Sequence, residues 1–400
     1  MIRSVQRAAR LAGIVVAATL VAPAAAFAHA NQLDTNPENG AALVRAPARV
    51  VVRFDDVVRV APGNAAVPNR GPSVLAGRPR THGRQLVLPL RERLRDGDYS
   101  VRWSAVSDDG HIIQGVLAFS VGTGRAPPAP TLRVTNEVGF GTVFSRWIFF
   151  AGLLVGSGMA LFDLLVWRPI ARSDIRTGWI ALALAAMFVS SHGLVRASHG
   201  GVATRFGLTV QIASAIAATG AAAAAIAVAD RSAAPFGIVL AVLLLPVPSV
   251  AGHALDPRRS WLEVPVDMLH VTAAAVWVGG LFALVVIVPG EGVPPEIVDR
   301  AARRFSTIAI AAVVAVGLTG AVRALAELSS ASQLWTTSYG RAILAKTAIF
   351  AVLLGLGAVS RATVREGAGR LRNVVRLELL LAVALVVAVA ILTSLRPGRS

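Results

Sequence analysis

The stretch Gly124-Arg125-Ala126-Pro127-Pro128-Ala129-Pro130 divides this chain into two parts of different character. Its prolines make it a stiff linker, because proline holds the backbone in extended conformations. Polar and apolar residues are mixed before it, whereas long apolar runs separated by short arginine-containing loops follow it. The sequence therefore predicts two domains of different kinds, joined by a linker over residues 123–140.

The amino terminus has the pattern of a cleaved export signal. A basic region precedes an apolar run, and Ala26-Phe27-Ala28 has the small residues of a cleavage site, so residues 1–28 are predicted to be a signal peptide. Cleavage there leaves His29 as the first residue, with a free α-amine beside its imidazole. The two groups can chelate one metal ion, because an amine with a pKa of about 8 yields its proton to a divalent metal near neutral pH. The alternative is that His29 merely flanks the cleavage site.

Residues 29–122 have the pattern of a small β-sandwich. Short runs rich in β-branched and aromatic residues are separated by Gly, Pro, Asn and Asp turn signals. Tyr99, Val101 and Trp103 alternate with polar residues, as expected for a strand with one buried face. Several strands at this spacing predict an all-β sandwich of about one hundred residues. The clearest strand segments are 49–54, 85–90 and 99–103.

Residues 141–396 have the pattern of an all-α polytopic membrane bundle. The chain is 55% hydrophobic and 15% charged, which is too apolar for a wholly soluble protein. Eight apolar segments approach the ~20 residues that span a bilayer core, and Pro246 and Pro248 interrupt the fourth. We therefore expect about eight transmembrane helices in contact with the lipid bilayer. The segments are 144–167, 177–195, 207–229, 235–254, 264–289, 306–326, 342–360 and 374–395.

The formal charge of +17 is distributed as in a membrane protein rather than a nucleic-acid-binding one. The basic residues are nearly all arginines, and they concentrate in the loops after the first, third, fifth and seventh segments. Such loops face the cytoplasm. The export signal independently places the sandwich on the opposite side. The sequence thus predicts a multi-pass protein of the cytoplasmic membrane with an extracytoplasmic amino-terminal domain and no nucleic-acid partner.

The chain has no cysteine, so any metal must bind nitrogen, oxygen or thioether ligands. In the predicted topology His253 closes the fourth segment at the outer surface, and His270 lies in the outer third of the fifth. Polar groups at membrane depth are usually functional, and histidine is the commonest metal ligand. His192 and His199 also fall on the outer side, where anchoring a helix end or facing solvent in a loop explains them equally well.

Two further residues lie near His270 in the sequence. Met268 offers a thioether of the kind that suits Cu(I), and Asp267 is one helical turn away as a candidate partner of the imidazole. A purely structural role remains open for each of them. Gly279-Gly280, further along the same segment, predicts close approach of another helix.

The segment Ser107-Asp108-Asp109-Gly110-His111 lies between two predicted strands. Its glycine allows a tight turn, which can bring the Asp109 carboxylate and the His111 imidazole toward one point. With His29 these residues supply an amine, two imidazoles and a carboxylate, a set that in tetragonal arrangement favours Cu(II). Alone, the segment is a weak motif that is more typical of a turn with incidental polar side chains.

These residues also resemble a known family. The sandwich resembles the CopC-like periplasmic copper-binding domain, and the membrane half resembles the CopD copper-resistance family. The order matches bacterial CopC–CopD fusion proteins, which include copper-uptake members. The segments that carry the resemblance are His29-Ala30, 36–41, 97–103 and 107–111 in the first half, and 252–254, His270 with 277–280, 304–306, 319–320 and 339–341 leading to Lys346 in the second.

The resemblance implies a cupredoxin-like or immunoglobulin-like Greek-key sandwich with a Cu(II) site formed by His29, Asp109 and His111. For the membrane half it implies copper handling, as Cu(I) or Cu(II), with His253 and His270 as the candidate ligands. We therefore predict a copper-binding transport protein rather than an enzyme, supplied by extracytoplasmic copper donors. A membrane redox protein that binds haem, and a tolerance protein that sequesters copper without moving it, are the alternatives.

Overall fold

The computed structural model describes residues 30–68, 71–110, 112–132, 140–171, 177–198, 201–252, 262–287, 293–328, 330–363 and 368–394. The predicted signal peptide lies outside the described residues. So do four of the histidines considered above, namely His29, His111, His199 and His253.

The first half folds into nine strands arranged in two sheets. One sheet has the order β1-β3-β7-β6, and the other has the order β2-β9-β8-β4 with β5 also paired to β8. The pair β2 and β9 is parallel, and the other pairs are antiparallel. The strands are β1 Gln32–Asn36, β2 Ala41–Leu43, β3 Arg49–Phe54, β4 Val58–Val60, β5 Ala65–Pro68, β6 Arg80–His82, β7 Gln85–Pro89, β8 Gly97–Ser107 and β9 Ile112–Val121.

One hydrophobic core lies between these two sheets. Tyr99, Val101 and Trp103 of β8 point into it, as their alternation with polar residues predicts. Phe54 of β3 meets Trp103 edge to face across the core, with ring centroids 5.4 Å apart. The predicted all-β sandwich is therefore confirmed, with each sheet contributing one apolar face.

The second half is all-helical. Helix α1 continues through a π-helical turn, Asp163–Trp167, and α4 and α5 are separated by a break at Pro246, the proline that interrupts the predicted fourth segment. The helices are α1 Phe140–Phe162, α2 Thr177–Ala197, α3 Arg205–Ile226, α4 Ala234–Leu243, α5 Val247–Ala251, α6 Glu263–Ile287, α7 Pro295–Glu327, α8 Gln333–Thr336, α9 Ser338–Thr363 and α10 Ala368–Leu392.

Within the described residues, seven helical segments are long and apolar enough to cross a membrane, and they correspond to the first seven predicted segments. The eighth predicted segment, 374–395, lies in α10. This architecture agrees with the expected bundle of about eight transmembrane helices.

Glycines bring α1 and α6 into backbone contact. A side chain at Gly158 would overlap the carbonyl of Ala275, and one at Gly279 would overlap the backbone of Gly158. Gly280 is covered in the same way by the ring of Phe305 on α7. The close approach predicted from Gly279-Gly280 is thus confirmed, and it fixes α6 between α1 and α7.

Candidate metal centre at the domain interface

The turn between β8 and β9 holds Asp109 beneath the end of the sandwich. Gly110 adopts a φ of +81°, and its N–H donates to the carbonyl of Ser107 at 2.9 Å, which closes the turn. The Asp109 side chain is only 1% exposed, and the Ser107 hydroxyl donates to its Oδ1. A carboxylate fixed in this way is preorganised as a metal ligand, and it stands two residues before His111 in the sequence.

The start of the described chain is anchored at Asp55. The backbone N–H of Asn31 donates to Asp55 Oδ1 at 2.7 Å, and the Asn31 side-chain amide donates to Asp55 Oδ2 at 3.1 Å. Ala30 is buried in the sandwich core. The residue that precedes Ala30 is His29, so the predicted amino-terminal ligand is attached to a clamped segment.

The anchored start and the Asp109 turn lie at the same end of the sandwich. Asp55 and Asp56 connect β3 to β4, and Val58 of β4 pairs with Ser107, the first residue of the turn. Burial raises the pKa of Asp56 to about 6, and repulsion from Asp108 and Asp55 adds to the effect. This end of the sandwich therefore brings several carboxylates close together.

Metal-binding side chains do not form a complete site within the described residues. No group of three or more His, Cys, Asp or Glu side chains there is close enough to hold a metal ion. Of the three ligands predicted for the sandwich, Asp109 alone is described, and His29 and His111 lie outside. The ligand set thus stays a prediction.

Asp108, the neighbour of Asp109, contacts the membrane half directly. Its Oδ1 accepts from the backbone N–H of Arg205 at 3.0 Å, and its carbonyl accepts from the N–H of Phe206 at 3.2 Å. These N–H groups belong to the first turn of α3 and have no partner within the helix. Asp108 therefore caps a membrane helix from another domain, where its negative charge also meets the positive end of the helix dipole.

Further contacts surround this cap. Arg59 of β4 donates to the carbonyl of Ala203 at 2.6 Å, and Gly110 lies so close to the Phe206 ring that a Cβ there would approach within 2.9 Å. The Arg205 guanidinium donates to the carbonyl of Gly252 at 3.2 Å. Gly252 ends α5 and immediately precedes His253 in the sequence. The Asp109 turn, the start of α3 and the end of α5 therefore meet at one place.

Arg146 of α1 adds a positive charge at the same place. Its guanidinium lies over the Phe206 ring, 5.8 Å from the ring centroid, and it attracts the Asp109 carboxylate electrostatically. Its Nε has no hydrogen-bond partner among the described residues. A cation thus stands beside the one described ligand of the predicted copper site.

His270 lies deeper in the bundle, between α6 and α7. Its Nδ1 is 2.9 Å from the hydroxyl of Thr319, and that hydroxyl donates its proton to the carbonyl of Ala315. A threonine hydroxyl has one proton, so when it donates to Ala315 the imidazole donates to it through Nδ1–H. In that tautomer Nε2 is the nitrogen left to bind a metal.

Parts of both halves match known protein families. Residues 33–122 match the family model for the CopC domain, and residues 299–392 match the model for copper resistance protein D, CopD. The chain belongs to the CopC–CopD proteins. We call the sandwich the CopC half and the helical bundle, whose residues 299–392 carry the CopD match, the CopD half.

Individual proteins are similar to all or part of this chain. The "Copper transport protein CutJ" of Bacillus subtilis is 26% identical over 93% of this chain and 75% of its own length. "Protein YobA" of Escherichia coli is 32% identical over 30% of this chain and 98% of its own length. Among solved structures, CopC from Methylosinus trichosporium is 27% identical, with 26% of this chain and all of that chain covered and a TM-score of 0.22.

Contacts in the CopD half correct two predictions about the surroundings of His270. Asp267 does not partner His270 but forms an ion pair with Arg323 of α7. Met268 lines a largely apolar cavity of about 440 Å³ between α3, the α4–α5 break and α6, whereas His270 faces α7. The thioether and the imidazole therefore point to different neighbours and do not form one copper site.

His192 also has a local role. Its side chain is exposed, its Nδ1 lies 3.1 Å from the carbonyl of Phe188 on the same helix, and its ring packs edge to face on the Phe188 ring. His192 and His270 thus have different neighbours among the described residues.

The sequence alone does not predict the contacts that Arg146, Arg205 and Asp55 make. Each acts across a long sequence separation, which is 97 residues for the bond between Arg205 and Asp108. Arginines near membrane helix ends are common, so their positions alone carry no signal for a contact between the CopC and CopD halves.

Proposed function

We propose that this CopC–CopD protein captures Cu(II) outside the cytoplasmic membrane and passes it to the membrane half for import. The observation that carries the proposal is the docking of the Asp109 turn on the end of the helical bundle, at the start of α3 and the end of α5. Copper held at this turn stands at the mouth of the CopD half and has no aqueous gap to cross.

The capture site in this proposal consists of the α-amine and imidazole of His29, the carboxylate of Asp109 and the imidazole of His111. Three nitrogens and one oxygen suit tetragonal Cu(II), and copper heads the affinity order for such ligands. The burial of Asp109 and the clamp on Asn31 support it, because both hold their segments at one end of the sandwich. The proposal requires cleavage after Ala28 and a CopC domain over residues 29–122.

Passage into the bundle, residues 141–396 beyond the linker 123–140, uses His253 and then His270. His253 follows Gly252, which Arg205 ties to the docked turn. His270 is about two turns inside α6, with its Nε2 available to copper as Cu(I) or Cu(II). The similarity to a protein named for copper transport supports movement of copper through the membrane half, and the import direction is part of the proposal. In this proposal the protein is a transporter rather than an enzyme, and it receives copper from extracytoplasmic donors.

The capture site is tested by replacing its amino-terminal ligand. His29→Ala removes the imidazole of the chelating pair, so the Cu(II) affinity of the purified full chain falls by about a hundredfold or more, beyond what loss of a supporting residue costs. Competition with a coloured chelator measures it. His82→Ala is the matched control, because His82 is exposed on the edge strand β6. Equal affinities of the His29→Ala variant and the parent chain would refute the site.

Cellular copper in a deletion strain tests the direction. Under import, the strain contains less copper than its parent, and the intact gene restores it. A rise in copper would indicate export or lost sequestration, and unchanged copper with a haem absorption band in the purified protein would favour redox work.

A further inference from the structure

The docked interface contains a positive charge that copper capture does not explain. Arg146 lies on the second turn of α1, beside the carboxylate of Asp109 and over the ring of Phe206. Asp109 is almost completely buried there, so little water separates the guanidinium from the carboxylate.

A copper ion bound to Asp109 would carry the same sign of charge as this guanidinium. Repulsion between like charges a few ångströms apart is weak in water but costs several times more in a partly buried site, where the effective dielectric constant is lower. The docked arrangement therefore stabilises the metal-free carboxylate relative to the copper-bound one. Undocking separates Arg146 from Asp109, because Arg146 belongs to the CopD half.

We propose that Arg146 is a positioning residue that weakens Cu(II) binding at Asp109 when the two halves are docked, so that docking releases copper toward the bundle. The inference rests on the proposed capture function and adds a release step to it. In the release step the copper ion leaves its ligands without a change of oxidation state. The Asp109 carboxylate is then stabilised by the nearby Arg146 guanidinium instead.

Docking and copper binding must affect each other equally. If docking weakens copper binding by some factor, copper binding must weaken docking by the same factor. The contact to monitor is the cap on α3, because the N–H groups of Arg205 and Phe206 donate to Asp108 only while the halves are docked.

The first experiment measures Cu(II) affinity of the full chain in lipid nanodiscs by chelator competition. Arg146→Gln removes the charge and tightens binding by about tenfold, as expected for one charge at close range in a partly buried site. Arg146→Lys keeps the charge and stays near the parent affinity. Arg196→Gln is the matched control, because Arg196 is an exposed arginine in the last turn of α2, at the same end of the bundle.

Asp109→Asn in the same assay separates the two proposals. If Asp109→Asn leaves Cu(II) affinity unchanged, the proposed capture site is wrong. If Asp109→Asn weakens binding while Arg146→Gln matches the parent chain, capture stands and the role of Arg146 is overturned. Equal tightening by Arg196→Gln would also overturn it, because the effect would then belong to surface charge in general.

A second measurement needs no substitution and therefore holds even if Arg146→Gln does not fold. Hydrogen exchange is followed in the parent chain with and without saturating Cu(II). The amides of Arg205 and Phe206 exchange faster with copper, while Val101 in the centre of β8 keeps its rate. Unchanged protection of the α3 amides in the copper-loaded chain would overturn the proposed opposition between copper and docking.

Discussion

The CopC and CopD halves position their candidate ligands in different ways. Asp109 is held by a turn within five residues, through Ser107 and Gly110. His270 is held by Thr319, which is 49 residues away on another helix. The first arrangement depends on local backbone geometry, whereas the second depends on how α6 packs against α7. The local geometry that orients each candidate ligand is therefore separate from the geometry that orients the other.

Of the predicted effects, replacing His270 is expected to have the largest, and it concerns copper uptake by cells. His270→Ala reduces copper uptake by cells to the level of the deletion strain, because it removes the proposed ligand inside the bundle. The Cu(II) affinity of the purified chain stays unchanged, since the Asp109 turn does not depend on α6. Copper content of cells and chelator competition measure the two quantities.

His192→Ala serves as the control for that experiment, because His192 is exposed and bonded to its own helix. Uptake remains normal in this variant. A loss of Cu(II) capture in His270→Ala would break the comparison, since it would make the two halves one site.

Replacing the partner of His270 gives an intermediate effect. Thr319→Val keeps the shape of the side chain but removes the hydroxyl that holds the proposed ligand His270, so uptake falls by about tenfold, as is typical for the loss of a supporting partner of a metal ligand. Thr319→Ser keeps the hydroxyl and restores uptake. Equal uptake in the valine variant and the parent chain would show that packing of α6 on α7 suffices to orient the ring.

The smallest effect concerns Asp56 and pH. The pKa of Asp56 rises from 3.8 to about 6 on folding, so the folded sandwich binds this proton more tightly than the unfolded chain. Its contribution to the free energy of unfolding therefore declines as the pH rises through this range. Asp56→Asn removes that decline. The melting temperature of the excised sandwich, residues 29–132, therefore rises more at pH 7.5 than at pH 4.5. The difference is a few degrees, which is about the effect of 1 kcal/mol in a small domain.

The sandwich is excised as one unit because the similarity to YobA covers 30% of this chain but 98% of YobA, so that relative has about the length of the sandwich. Thermal unfolding followed by circular dichroism gives the two melting temperatures. An equal gain at both pH values would contradict the role of burial in raising the pKa of Asp56.

The sequence predicts the features that depend on a single residue or on residues close together in the chain. Alternation at Tyr99, Val101 and Trp103 identified the buried face of β8, because successive side chains of a strand point to opposite sides. Pro246 marked a helix break, since proline lacks the N–H that continues a helix. Gly279 marked a close helix contact, because no side chain intervenes.

The features that escaped prediction depend on distant partners. Asp267 and His270 share a helix face, yet Arg323 on α7 is the partner of Asp267. The separation of Met268 from His270 was available in the sequence, because two residues span about 200° around a helix. No such local rule could connect Asp108 to Arg205, whose meeting requires both halves to be folded and placed together.

The proline-containing segment that leads from β9 to α1 also determines how strong the docking contact has to be. A tether of this length keeps the two surfaces at an effective concentration in the millimolar range, so a contact of a few hydrogen bonds stays largely formed. The same contact between separate polypeptides would be mostly dissociated at cellular concentrations. Because the tether supplies the proximity, the interface itself can remain weak enough to open and close.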